Sequence, residues 1–136
     1  MIEGGCLCGD VRYAITGALA DVQVCHCQSC QKAQGGPFAT NIPVDRACFE
    51  WRRGEARIRD YESSPGKHRL FCGRCGSPLI SRRDATPQAV RVRAGTLDHA
   101  PEAHIASQAF TAQAVPWWPP RADAPCFAGP RPKARK

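Results

Sequence analysis

Short runs in which apolar and polar residues alternate recur along the chain: "VRYAI" (11–15), "FATNIPV" (38–44), "RIRDYES" (57–63), "HRLFC" (68–72) and "AVRVRAG" (89–95). A period of two sends successive side chains to opposite faces of an extended backbone, and β-branched and aromatic residues fit that pleated surface. Each run therefore predicts a strand. Glycine and proline punctuate them at "GGC", "GGP", "SPG", "CGSP" and "PWWPP", where turns belong. Only "SCQKAQ" (29–34) has helical character, and Gly35 stands where a left-handed stop is needed. The pattern predicts a mainly β protein whose cysteines lie on loops between strands.

At 136 residues, the chain is expected to form one domain with a modest core. Residues 1–128 are read as the folded body and 129–136, "GPRPKARK", as a basic disordered tail. No stretch approaches the roughly 20 apolar residues of a membrane span. Nine cysteines suggest a disulfide scaffold, but the count is odd and "MIEGGCLCGDVRY" does not look like a secretion signal. The reading is a reducing cytoplasm, where clustered cysteines serve as metal ligands or redox groups.

The formal charge of +7 invites a nucleic-acid partner. Four of those charges (Arg131, Lys133, Arg135, Lys136) sit in the last six residues, without the aromatic interleaving that nucleic-acid binding uses. The body is close to neutral once thiolates are counted, and nucleic acid is not expected as a partner. No glycine-rich segment has the strand–GxGxxG–helix context of a dinucleotide site.

Chemistry is concentrated in three cysteine clusters: "GGCLCGDVRY" with Cys6 and Cys8, "CHCQSCQKAQGGPF" with Cys25, Cys27 and Cys30, and "FCGRCGSPL" with Cys72 and Cys75. The last has the form of a zinc knuckle, with a glycine after each cysteine to let backbone N–H groups turn toward the sulfurs. Two pairs make a closed tetrahedral site. Spacing alone does not fix which pairs: Cys6/Cys8 or Cys25/Cys27 could each join Cys72/Cys75. If the first pairing holds, Cys25, Cys27 and Cys30 are left with three ligands and an open fourth position, as zinc catalysis requires. A soft zinc–sulfur site suits a thiol.

Together these three motifs resemble the glutathione-dependent formaldehyde-activating enzyme family, also called the GFA or CENP-V domain, over roughly residues 3–100. The resemblance implies a β-tent fold with two Zn²⁺ per chain. Cys6, Cys8, Cys72 and Cys75 would hold a structural ion, and Cys25, Cys27 and Cys30 a catalytic one. It also implies a carbon–sulfur lyase-type activity: addition of glutathione to formaldehyde, or of a similar thiol to another small electrophile, to give S-(hydroxymethyl)glutathione or its analogue. The alternative is a non-catalytic zinc domain that binds glutathione or a related thiol as carrier or sensor. Toward the C-terminus, "AHIASQAFTAQAVPWWPP" and "APCF" echo the family's ending, with a longer interval from His104 to Trp117.

Several single residues carry weaker expectations. Cys48 and Cys126 stand without cysteine neighbours and read as core or surface residues. His26, between two candidate ligands, should point away from the metal because adjacent side chains of an extended backbone diverge. His104 is a candidate for a pocket wall. Lys32 reads as a solvated lysine, and Trp117 and Trp118 as packing anchors at the domain edge.

Overall fold

The computed structural model describes residues 1–132. Its strands are β1 (Ile2–Gly5), β2 (Arg12–Ile15), β3 (Val22–Cys25), β4 (Ala39–Asp45), β5 (Phe49–Arg53), β6 (Ile58–Ser64), β7 (Lys67–Cys72), β8 (Pro78–Arg83), β9 (Ala89–Arg93) and β10 (Ile105–Ala109), with one α-helix, α1 (Gln28–Gln34). The protein is mainly β, as the alternation predicts. Contacts group it into two units, one of Met1–Ala20 and Ile42–Glu102, the other of Asp21–Asn41 and the chain from Ala103 onward. Of the expected tail, residues 133–136 lie outside the described range. Gly129 accepts a hydrogen bond from the Phe110 N–H at 2.9 Å.

In the first unit, β1, β2 and β5 form an antiparallel sheet with β2 central. Tyr13, Ala14 and Ile15 of β2 are all buried, so this strand is covered on both faces. Tyr13 stacks on Phe49 at a centroid distance of 5.3 Å, and Phe49 meets Trp51 edge-on at 4.8 Å. The Tyr13 hydroxyl hydrogen-bonds Thr96 Oγ1 at 2.7 Å, supplying the polar partner that a buried tyrosine requires. Burial pushes its pKa up to about 12. Gly4 passes so close that a Cβ there would lie 2.5 Å from both the Thr96 carbonyl and the Tyr13 hydroxyl. A side chain at position 4 would break this packing.

The same unit holds β6, β7, β8 and β9 in spatial order, with β4 beyond β9. β7 pairs antiparallel with β6 and with β8. Edge strand β6 is largely exposed and carries Arg59, Asp60 and Glu62, charges that discourage pairing with another chain. Leu79 of β8 and Val90 and Val92 of β9 are fully buried.

In the second unit, β3 lies between β10, which it joins in parallel, and the first residues of β4, antiparallel. Gln108 of β10 is 2% exposed. Its amide donates to the Arg121 carbonyl and accepts from the Arg121 N–H, both at 2.8 Å, holding the C-terminal loop.

Candidate metal centres

Cys6, Cys8, Cys72 and Cys75 come together in the first unit with all four sulfurs within 4.8 Å of one another. The structure thus chooses between the two pairings that spacing leaves open. Cys6 Sγ lies 3.6 Å from Cys8 Sγ, which lies 3.9 Å from Cys72 Sγ. A tetrahedral zinc with Zn–S bonds near ~2.3 Å separates its sulfurs by about 3.8 Å, so the cluster has the dimensions of such a site.

Backbone geometry builds it. After Cys6 the chain turns through Gly9, whose N–H donates to the Cys6 carbonyl at 3.1 Å, and the Val11 N–H then points at Cys6 Sγ at 3.3 Å. The knuckle at Cys72 repeats this: the N–H groups of Arg74 and Cys75 lie 3.4 and 3.5 Å from Cys72 Sγ. Gly76, at φ +80°, turns the chain out. Four thiolates around one Zn²⁺ would carry a net charge of −2, which these dipoles and the Arg74 guanidinium are placed to offset. Arg74 is itself held at 3.0 Å by Asp10.

The thiols in this cluster are unequal. Cys75 is drawn down to about 5, chiefly by the hydrogen bond with the Ser77 hydroxyl at 3.3 Å. Cys8 goes up to about 11: the Asp10 N–H favours its thiolate, but desolvation and the neighbouring Cys6, Cys75 and Cys72 thiols together outweigh it. Cys6 is lowered: burial opposes ionisation, but the Val11 N–H and the Cys8 and Cys72 thiols prevail. Cys75 and Cys6 thus favour the thiolate and Cys8 the thiol, as crowded sulfurs cannot all ionise alike.

The second cluster sits in the second unit. Cys25 ends β3, Cys27 is the N-cap of α1, and Cys30 lies in its first turn. The expectation of loop positions therefore needs correcting: Cys25, Cys30 and Cys72 belong to regular elements, and only Cys6, Cys8 and Cys75 lie on turns, with Cys27 at a junction. The reason is compactness, because ending a strand and starting a helix within three residues aims three sulfurs inward.

The Cys27 sulfur accepts from the Cys30 N–H at 3.3 Å, taking the place of a serine or aspartate cap. Gln113 fastens the junction: its side chain accepts from the Gln28 N–H, and its carbonyl accepts from the Gln31 side chain, both at 2.9 Å. The Gln31 amide also donates to the His26 carbonyl at 2.7 Å. At the far end Gly35 stops the helix in the left-handed conformation (φ 69°).

The three sulfurs lie within 4.8 Å of one another, and among the described residues no histidine, carboxylate or fourth cysteine completes the group. Cys25 is pushed up by its hydrogen bond with the Cys30 thiol and by burial. A cation is the partner that would relieve this crowding, so the donor set fits a soft divalent metal.

His26 is outside this cluster. Its ring is 1% exposed and packs edge-on against Phe38 at 5.4 Å. Neither ring nitrogen has a hydrogen-bond partner among the described residues, and burial lowers its pKa. Lys32 is exposed on the last turn of α1. His104 is exposed, engaged through its backbone with Val22 and Asp21. Trp117 and Trp118 are 68% and 55% exposed, so the expectation of packing anchors fails. Cys48 is half-buried and Cys126 exposed, neither near a cluster.

The family's sequence model, described as glutathione-dependent formaldehyde-activating enzyme (GFA), matches residues 1–113. The chain belongs to the GFA family. The crystal structure of a Rhodobacter sphaeroides protein is similar in fold, with a TM-score of 0.63 at 22% identity, covering 74% of this chain and 91% of that one. Membership fits the two cysteine clusters of this GFA chain, each of which could hold a metal ion. No helix among the described residues is long and apolar enough to cross a membrane.

Some contributing residues gave no signal in the sequence. Besides its bond with Cys75, the Ser77 hydroxyl accepts from the Leu7 N–H at 2.9 Å, 70 residues away, and Gln113 accepts from Gln28, 85 residues away. A third group, Glu62, His68 and Asp84, is an ionic network: Asp60 and Asp84 bracket the His68 ring, and Arg82 joins both carboxylates. Asp60 foremost raises the pKa of His68.

Proposed function

We propose that this GFA protein is a zinc-dependent enzyme of the carbon–sulfur lyase type. It binds glutathione or a similar thiol at Cys25, Cys27 and Cys30 and joins it to formaldehyde or another small aldehyde. The observation that carries this reading is the contrast in ligand number: four sulfurs close one centre, while three leave the other open. A zinc ion held by the three cysteines supplies a Lewis-acidic position that favours a thiol in its thiolate form. Cys6, Cys8, Cys72 and Cys75 would hold a second zinc that fastens the N-terminal turn to the β7–β8 knuckle.

The chain's own residues set the geometry. Cys27 and Cys30 are locked by the cap hydrogen bond, and Gln31 and Gln113 pin the strand-to-helix junction, so the three sulfurs keep one arrangement without a metal-induced refolding step. In the net reaction the thiol sulfur bonds to the carbonyl carbon and the C=O π pair moves to oxygen. The thiol's proton passes to solvent, and the oxygen takes one back. Holding thiol and aldehyde together converts a bimolecular encounter into a local one.

Magnetisation-exchange NMR on an equilibrium mixture of glutathione and formaldehyde tests the proposal, comparing zinc-loaded protein with Cys27→Ser. Faster interconversion with the loaded wild type alone supports it. Equal rates at concentrations where glutathione is demonstrably bound would replace it with the carrier or sensor role.

A further inference from the structure

The three-stranded sheet of the first unit holds an open cavity of about 360 Å³, lined by Glu3 of β1, Arg12 and Tyr13 of β2, and Arg52 and Arg53 of β5. The chain makes room for it in two ways. β1 ends in Gly4 and Gly5, opposite Tyr13 and Arg12, so no side chain rises from that strand beside them. Arg12 lies across the gap: a Cβ at Gly5 would sit 2.9 Å from its Cδ. On the other side of β2 the register slips, with Arg12 facing Arg53 while Tyr13 faces Trp51. Arg52 is thus the extra residue of a bulge. Bulges re-aim side chains, and here two consecutive residues of β5 line one cavity instead of parting to opposite faces.

The lining carries both signs of charge, on separate strands. β1 and β5 flank β2, and two strand spacings put them about 10 Å apart. Glu3 stands on one bank, Arg52 and Arg53 on the other. Between them Arg12 grips both oxygens of Asp98, one at 2.9 Å, and is already engaged. Arg53 donates to the Gly9 carbonyl at 2.8 Å, which uses one of the five N–H donors of a guanidinium. Arg52 donates to Met1 Sδ, and its Nε lies 3.7 Å from a Glu50 carboxylate oxygen, too long for a hydrogen bond. Glu3 acts on Arg12 through space. Glu3, Arg52 and Arg53 are all exposed, so a molecule entering the cavity meets them directly.

We infer that this cavity binds a free α-amino acid, with its carboxylate on the guanidiniums of Arg52 and Arg53 and its ammonium on Glu3. A simple anion would be repelled by Glu3 and a simple amine by the arginines. A zwitterion is the ligand class that finds an opposite charge on each bank, and a guanidinium fork matches its carboxylate. The volume lies within the range of roughly 300–1,000 Å³ usual for small-molecule sites. The site belongs wholly to the first unit and uses no cysteine, so it stands apart from the thiol chemistry proposed above.

The test is a titration of the zinc-loaded full chain with L-glutamine, and separately with sodium acetate and with ethylammonium chloride, at neutral pH and fixed ionic strength. The amide resonances of Glu3, Gly5, Arg12 and Arg53 are followed. Saturable shifts with glutamine are expected, at an affinity about tenfold or more above that for acetate or ethylammonium. Glu3→Gln and Arg53→Gln should each weaken it about tenfold or more, as loss of a charge-assisted hydrogen bond entails. Cys27→Ser should bind glutamine as the wild type does, whatever becomes of the thiol reaction. The site is overturned by absence of saturation with glutamine, by acetate binding as tightly as glutamine, or by full affinity in Glu3→Gln. Loss of glutamine binding in Cys27→Ser overturns it as a separate site. If Arg53→Gln does not fold without its bond to Gly9, Arg52→Gln at an exposed position decides.

Discussion

The two cysteine clusters use the same ligand atom in opposite ways. Cys6, Cys8, Cys72 and Cys75 are brought together from sequence positions more than 60 residues apart and ringed by backbone N–H groups and Arg74. Cys25, Cys27 and Cys30 are neighbours in sequence, placed by one strand end and one helix start. The first joins distant parts of its unit and has every tetrahedral position filled by protein. The second joins little that the chain does not already join, and stops at three. Under the proposed function, the cluster that spans distant segments would serve folding and the local cluster of three would serve chemistry.

The largest effect should come from the first cluster. Cys72→Ser is expected to remove one zinc per chain and more than about 4 kcal/mol of stability, read by metal analysis and thermal unfolding. If it keeps a cooperative transition near that of the wild type, the division of labour is wrong. Next, graded chelation should take the ion from the three-cysteine site first, abolishing thiol binding while near-UV circular dichroism persists. Simultaneous loss of both would erase the contrast.

A third prediction separates thiol chemistry from the rest of the first unit. Lys67 titrates near 7 in the folded chain against 10.5 for an unperturbed lysine, so between those values the unfolded chain binds more protons. Stability from this group is full above about 10.5 and is lost as pH falls toward 7. Lys67→Met should flatten that slope. An unchanged slope would mean that Lys67 is charged in the fold.

Smaller still is the effect of Cys27→Ser on stability. Serine is among the best N-cap residues, so the helix should survive within about 1 kcal/mol while thiol binding fails. Cys27→Ala, which loses the cap as well, should cost about 1 kcal/mol more. Equal unfolding of both variants would mark Cys27 as structural.

Alternation revealed β2, β4, β6, β7 and β9 but not β1, β3, β5, β8 or β10. β1 is half glycine, its Gly4 demanded by Tyr13 and Thr96 rather than by strand propensity. β8 buries Leu79, Ile80 and Ser81 in succession, which removes the period. β10, "IASQA", is a strand because β3 lies beside it, a tertiary cause with no local trace. The cysteine groups were legible because clustered cysteines stand out in a sequence. Gln113 and Ser77 were not, since a hydrogen bond across the fold leaves no mark on spacing. Trp117 and Trp118 misled for a related reason: large apolar residues are usually buried, and nothing local says when they are not.

The parallel pairing of β3 with β10 sets a timetable. Val22 meets Ile105 and Cys25 meets Ala109, so at about 5–20 residues per second a nascent chain waits several seconds between making β3 and making its neighbour. All four sulfurs of the first cluster have been synthesised by Cys75, and the local three by Cys30. During translation the three-cysteine segment is therefore available to metal ions before the strand that flanks it exists. The order of synthesis supplies the ligands of the open site first, those of the closed one second, and the parallel partner last.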